Sequence, residues 1–293
     1  MTSGGFRVVR VGGIPVSALV QEAERPRAVV LALHGGATSS VYYDAPDHPR
    51  LSLLRAGPAL GFTVVALDRP GYGASAPYKE ELASPEQRVD LAYGALDLLL
   101  ESSGAGVFLM AHSSGCELAV RMAGAERGAD LLGLEIAGTG RHRHERAMRL
   151  WREWDRARSA GPALRELLWG PPRAYPEGLV GGARIASPAP AYEGVEAEGW
   201  PENLPELAAR VRVPVHYSLG EHEMWWRPGA EALADVASLF TASPRVAVHE
   251  QVGAGHNLSL GHCALAYHLE VLSFVEECVL ARGAAERERV SPR

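Results

Sequence analysis

Ser113 lies in Ala111-His112-Ser113-Ser114-Gly115, directly after the apolar run Gly106-Val107-Phe108-Leu109-Met110 and before a helix-like stretch over 116–125. A strand that passes through a tight turn into a helix pushes the turn side chain out of the sheet edge, and the positions two before and two after it must be small because strand and helix converge there. Ala111 and Gly115 meet that demand. A serine hydroxyl is a weak nucleophile at neutral pH. It needs a base within hydrogen-bond reach, and the base needs an acid that fixes its tautomer and stabilises its cation.

Both follow along the chain. Residues 213–219 read as a strand that ends in Gly220-Glu221-His222-Glu223, and the strand-like Val246-Ala247-Val248 leads on to Gly253-Ala254-Gly255-His256. The order serine, acid, histidine differs from the chymotrypsin and subtilisin orders. On these residues the chain resembles the α/β-hydrolase fold superfamily, of the serine hydrolase type with a helical cap. The resemblance implies Ser113 as nucleophile, His256 as base and Glu223 as acid, at the spacing where the superfamily usually carries an aspartate. A glutamate reaches one methylene further, so Glu221 competes with Glu223, while Asp68 reads as a turn residue within Asp68-Arg69-Pro70-Gly71-Tyr72-Gly73.

Acyl transfer also needs donors aimed at the developing oxyanion. The resemblance assigns one to the amide of Ser114 and the other to the loop His34-Gly35-Gly36-Ala37, with Gly36 the first choice and Ala37 the second. His34 then holds that loop, and His112 is a structural neighbour of the turn. A serine at position 113 excludes the epoxide hydrolase and haloalkane dehalogenase chemistries of the superfamily, which need an aspartate there. His142 and His144 have no third ligand in their Arg-rich segment and read as a solvated face, so no metal and no cofactor is expected.

All six tryptophans, Trp151, Trp154, Trp169, Trp200, Trp225 and Trp226, lie between residues 151 and 226, and all five phenylalanines lie outside that interval. Tryptophan offers large apolar area with one donor, which suits a bulky or planar ligand. Trp151, Trp154, Trp225 and Trp226 are therefore expected on the substrate wall, with Tyr42 and Tyr43 beside the oxyanion loop. Trp151 and Trp154, three apart on a helix, could equally anchor the lid.

These residues need a frame. Two loosely alternating runs over 7–11 and 15–20, separated by Gly12-Gly13, predict an opening antiparallel hairpin. The continuously apolar runs 29–33 and 63–67 predict central parallel strands covered on both faces. Ser84-Pro85-Glu86-Gln87 carries a helix-start signal, with Ser84 as cap and Gln87 at capping-box spacing. Further elements are expected at 131–137 (strand), 230–239 (helix) and 261–280 (helix). The fold class is α/β: a mostly parallel, doubly wound sheet of about eight strands with helices on both faces and an inserted helical cap. Core segments 1–140 and 208–282 then flank a cap at 141–207, and 283–293 form a charged, flexible tail.

At 293 residues with 47% apolar content, the chain suits one large α/β domain. Its net charge of −6 carries no basic stripe, which disfavours nucleic acid and anionic membrane as partners and favours a small hydrophobic or aromatic molecule. Lys79 is the only lysine among 29 basic residues, a bias that suggests a GC-rich bacterial genome. No leader pattern opens the chain and no apolar run approaches the roughly twenty residues needed to span a bilayer, so a cytoplasmic protein is expected. Cys116, Cys263 and Cys278 show no metal spacing; if the last two share the final helix they lie roughly 22 Å apart, too far to pair. Ester hydrolysis is the leading activity. The alternatives are carbon–carbon bond cleavage or formation, or thioester release, in natural-product biosynthesis, and, from another class, a silent binding protein.

Overall fold

The computed structural model describes residues 4–100, 106–153 and 161–290. Strands β1 (Gly4–Val11) and β2 (Ile14–Gln21) form the antiparallel hairpin, turned by Gly12 and Gly13 at φ +57° and +90°. Positive φ at both turn positions matches the right-handed strand twist, and glycine adopts it without steric cost.

Strands β3 (Ala28–Leu33), β4 (Phe62–Leu67), β5 (Gly106–His112), β6 (Gly133–Ala137), β7 (Val215–Gly220) and β8 (Val246–Gln251) complete one eight-stranded sheet in the order β1-β2-β4-β3-β5-β6-β7-β8. All pairs from β4 to β8 are parallel. Every residue of β3 and β4 is buried, and alternate residues serve opposite cores: Val29, Leu31 and Leu33 face one, Val30 and Ala32 the other. The first core is closed by helices α2 (Pro85–Leu99), α3 (Gly115–Gly124) and α7 (Ala230–Ser238), the second by α1 (Leu53–Ala59) and α8 (Ala264–Val290).

Register aligns the carboxyl ends of the central strands, with Leu33 opposite Ala111, His112 opposite Ala137 and Gly220 opposite Gln251. The loops after these strands therefore meet at one edge. The order also reverses around β3, which opens the crevice where doubly wound sheets take ligands.

Between β6 and β7 lie α4 (Glu145–Glu153), α5 (Gly161–Trp169) and α6 (Tyr192–Ala208). The Pro- and Gly-rich appearance of the chain up to residue 205 hides α6, which runs through Pro201 and Pro205. Its second half is held by burial: Trp200, Leu204, Leu207 and Ala208 join the core beside α3. Two further expectations need correction. Helix α2 begins at Pro85, but Ser84 Oγ bonds the Glu86 carboxylate at 2.6 Å and caps no backbone amide. The segment read as a tail is helical to Val290, because Ala284, Ala285, Glu286, Arg287 and Glu288 are good helix formers that meet no stop signal. Among the described residues no helix is long and apolar enough to cross a membrane.

Candidate active site

Ser113 takes φ +50°, a left-handed conformation that costs energy in a residue other than glycine. Backbone bonds hold it there: Ser113 N–H donates to Ala137 O at 2.8 Å, and Cys116 N–H to Ser113 O at 2.9 Å. The required closeness is explicit at Gly115, where an added Cβ would lie 2.5 Å from His34 O and 2.6 Å from Leu33 O. Gly35 is equally constrained, since a Cβ there would meet His112 Nδ1 at 2.8 Å and Ser113 Cβ at 3.3 Å.

The turn brings Ser113 Oγ to 3.0 Å from His256 Nε2. On the other side of the ring, His256 Nδ1 lies 2.9 Å from Glu223 Oε2 and 3.1 Å from Oε1. With Glu223 ionised, the ring proton sits on Nδ1 and leaves Nε2 to accept from the serine. Glu223 is buried, and its Oε1 also accepts the amides of Trp225 at 2.7 Å and Trp226 at 3.2 Å. The acid's second tie is thus to its own turn. Gly220 lets the β7 and β8 loops close on each other, its hypothetical Cβ falling 2.5 Å from Gly255 O.

The competing acids are occupied elsewhere. Glu221 accepts the Gly253 amide at 2.8 Å from an exposed position. Asp68 is buried, accepting from Ser17 Oγ at 2.6 Å and Ser40 N–H at 2.8 Å, so it ties β2 to the loop after β3. His112 lies 2.8 Å from the His256 carbonyl through Nε2, and burial, with His256 and Arg69 nearby, pushes its pKa well below the ordinary value. It is a neutral prop under His256. Burial likewise lowers His34, which accepts the Arg69 amide on Nε2 at 3.1 Å.

Three expectations about the wall and the His34–Ala37 loop change. Tyr42 and Tyr43 are core residues, not pocket residues: Tyr42 stacks on His112 at 4.7 Å, and Tyr43 donates to Leu33 O at 3.0 Å. The Ala37 amide is already engaged, donating to Tyr72 Oη at 3.0 Å. Gly36 and Ser114 amides make no hydrogen bond among the described residues. The helix carrying Trp151 is described but the side chain is not, and Trp154 lies outside the described residues.

Two spaces open beside Ser113. The wider, of about 630 Å³, is lined by Gly35, Gly36 and Ala37, by His256 and, from 141–207, by Leu164, Leu168 and Trp169. The narrower, of about 40 Å³, is walled by Trp200, Trp225 and Trp226 with Glu117, Glu193 and Arg143. Trp225 borders both. Trp169 and Trp200 belonged to the aromatic interval but carried no signal that separated them from packing residues. His142 approaches Asp235 at 3.4 Å, and His144 Nδ1 accepts the Arg146 amide at 3.2 Å. Among the described residues no cluster of three or more His, Cys, Asp or Glu could hold a metal. All three cysteines are free thiols.

A family model described as "Alpha/beta hydrolase family" matches residues 29–266. The chain belongs to this family. No curated protein sequence matches it significantly. In fold this family member is similar to a thermostable carboxyl esterase from Bacillus coagulans, with a TM-score of 0.68 at 18% identity over 94% of this chain and 100% of the esterase. It is also similar to a proline iminopeptidase from Mycobacterium smegmatis, at 0.63 and 19% over 95% and 100%, and to an N-acyl homoserine lactonase, at 0.65 and 18% over 94% and 98%. At these identities the likeness is one of fold.

Proposed function

We propose that this chain is a cofactor-independent serine hydrolase that cleaves carboxylic esters of bulky, hydrophobic or aromatic small molecules. One observation carries the reading: an unbroken Ser113–His256–Glu223 hydrogen-bond chain, at 3.0 and 2.9 Å, opens from a strained turn onto a cavity of about 630 Å³. His256 Nε2 takes the Ser113 proton as Oγ attacks the ester carbonyl, and Glu223 stabilises the imidazolium. The amides of Gly36 and Ser114 receive the oxyanion. Collapse of the tetrahedral intermediate expels the alcohol, which takes the proton from His256, and a water deprotonated by the same histidine releases the acid and restores Ser113.

Residues 141–207 form the cap in this reading, since α6 lines both spaces and α5 lines the wider one. The carboxyl esterase and the N-acyl homoserine lactonase among the structural relatives support an ester substrate. The test is labelling by a serine-directed fluorophosphonate together with turnover of p-nitrophenyl esters. Wild type is expected to label and turn over, and Ser113→Ala to do neither while remaining folded. A folded, unlabelled and inactive wild type would leave the chain a binding protein.

A further inference from the structure

The oxyanion loop is gripped by residues that take no part in the proton chain. Arg69, fully buried in the turn after β4, donates its amide to His34 Nε2 at 3.1 Å and its guanidinium to Gly35 O at 3.1 Å. The same guanidinium is ion-paired with Glu193 of α6. Tyr72 Oη accepts the Ala37 amide, and the Arg69 guanidinium lies over the Tyr72 ring, 4.9 Å from its centroid. Glu193 Oε2 also packs against Gly36, where an added Cβ would lie 3.0 Å from it. The cap touches the loop a second time, as Ser187 N–H donates to Ala37 O at 3.0 Å.

A single carboxylate, brought by the cap, therefore anchors the guanidinium that holds Gly35 O and flanks the tyrosine that holds the Ala37 amide. Burial disfavours the charge on Arg69, but the Glu193 carboxylate, together with Tyr72 and Tyr192, outweighs that penalty and holds the guanidinium's pKa above its ordinary value. Removing one member of a buried pair leaves the other uncompensated and forces rearrangement. Here the rearranging group is the one bonded to Gly35 O. The first half of α6 is attached largely by polar ties: Tyr192 Oη to Pro70 O, Glu196 to Arg88, and Arg143 to Ala197 O.

We propose that Glu193 is a positioning residue through which the seated cap sets the oxyanion loop, acting by way of Arg69 to keep the Gly36 amide in place for the oxyanion. The inference rests on the serine hydrolase reading for its catalytic consequence, but loop order can be measured without turnover. Binding of the ground state does not need the oxyanion donor, whereas the transition state does.

The experiment compares wild type, Glu193→Gln and Arg88→Gln, the last breaking a different tie between α6 and the core. Steady-state kinetics use p-nitrophenyl butyrate, and hydrogen–deuterium exchange follows the peptide spanning residues 34–37. In Glu193→Gln, kcat is expected to fall by about 10- to 100-fold with KM within about threefold, because a misplaced donor costs nearly as much as an absent one. Exchange in the loop peptide is expected to rise at least about tenfold. Arg88→Gln should show neither change even where its Tm falls equally. If Glu193→Gln does not fold, Glu193→Asp draws the carboxylate back from Arg69 without removing the charge and should show the same pattern more weakly. A lower Tm with unchanged kcat and unchanged loop exchange reduces Glu193 to a packing tie and overturns the proposal. An inactive wild type overturns the hydrolase reading instead, and loop exchange still decides whether Glu193 positions the loop.

Discussion

Two sets of serine, histidine and glutamate lie in this sheet, and only one is arranged to pass a proton. In Ser113–His256–Glu223, serine and acid approach opposite nitrogens of the ring. In Ser218–His216–Glu135, both approach the same nitrogen: Glu135 Oε2 lies 2.5 Å and Ser218 Oγ 3.3 Å from His216 Nδ1. The cause is strand geometry. Residues two apart on β7 point to one face, so Ser218 lies beside His216, and register places Glu135 of β6 directly opposite. Tyr267 completes that cluster by donating to Glu135 Oε1 at 2.9 Å, and Ser218 and Glu135 are fully buried. Burial opposes a charge on His216, but the Glu135 carboxylate prevails and raises its pKa, which makes this an internal ion pair. Residue types alone do not tell the two sets apart; the turn that exposes Ser113 and splits its partners across the ring does.

The largest expected contrast is in the serines. Ser113→Ala should lower kcat on a p-nitrophenyl ester by a factor on the order of 10⁴ or more, while Ser218→Ala should stay within about twofold. Equal, small effects would break the distinction between the two sets.

The acids should separate rate from stability. Glu223→Gln is expected to cost about 10³- to 10⁴-fold in kcat, through the wrong His256 tautomer and an unsupported cation. Glu135→Gln should leave kcat per folded molecule unchanged but cost about 3–5 kcal/mol in urea unfolding, since it strands the charged partner of a buried pair. Glu221→Gln should be nearly silent in both assays, and a large kinetic loss there would reassign the acid.

Only Ser113 faces open space, so only its set should respond to the tryptophans. Trp225→Ala is expected to lower kcat/KM for a bulky aromatic ester by the equivalent of about 1–3 kcal/mol and to spare an acetate ester, because the backbone amide that holds Glu223 is retained. A matched loss on both esters, with an unchanged Tm, would move Trp225 from substrate recognition to support of the acid.

The smallest effect concerns pH. His268 is fully buried with neither ring nitrogen bonded among the described residues, and burial pushes its pKa down to about 3. The unfolded chain, at a pKa of about 6.5, then takes up the proton first, so stability falls as pH drops below that value, by about 1.5 kcal/mol on reaching about pH 5. His216 has the opposite sign. Its contribution is complete below about pH 6.5 and is lost as pH rises through its raised folded-state pKa. Thermal melts across this range should show a shallower acid limb in His268→Phe than in wild type; an unchanged limb would place the acid sensitivity elsewhere.

Local pattern made much of this legible. The turn at Ser113 is specified within five residues, because small neighbours and a strand-to-helix junction are conditions on adjacent backbone. Glu223 and His256 were readable for a related reason: each follows a strand, and parallel strands bring their carboxyl-end loops to one edge. The hairpin at Gly12-Gly13 and the doubly buried strands β3 and β4 follow from turn chemistry and apolar runs. Segments that meet only in the folded chain left no such mark. Tyr42 and Tyr43 look like wall residues until His112 and Leu33 cover them, and the Ala37 amide looks available until Tyr72 takes it. Helix α6 crosses two prolines because Trp200 and Leu204 are buried against the core, which outweighs a local penalty. Arg69 and Glu193 stand 124 residues apart, and neither residue's neighbours announce the other. The amino-acid sequence by itself thus determined the strands, the strained turn and the order of serine, acid and histidine, all of which are conditions on neighbouring backbone. Tertiary structure alone decided which amide is left for an oxyanion, which aromatics face the cavity and which glutamate holds the loop, because a side chain's remaining hydrogen-bonding capacity and exposed surface depend on every segment packed against it.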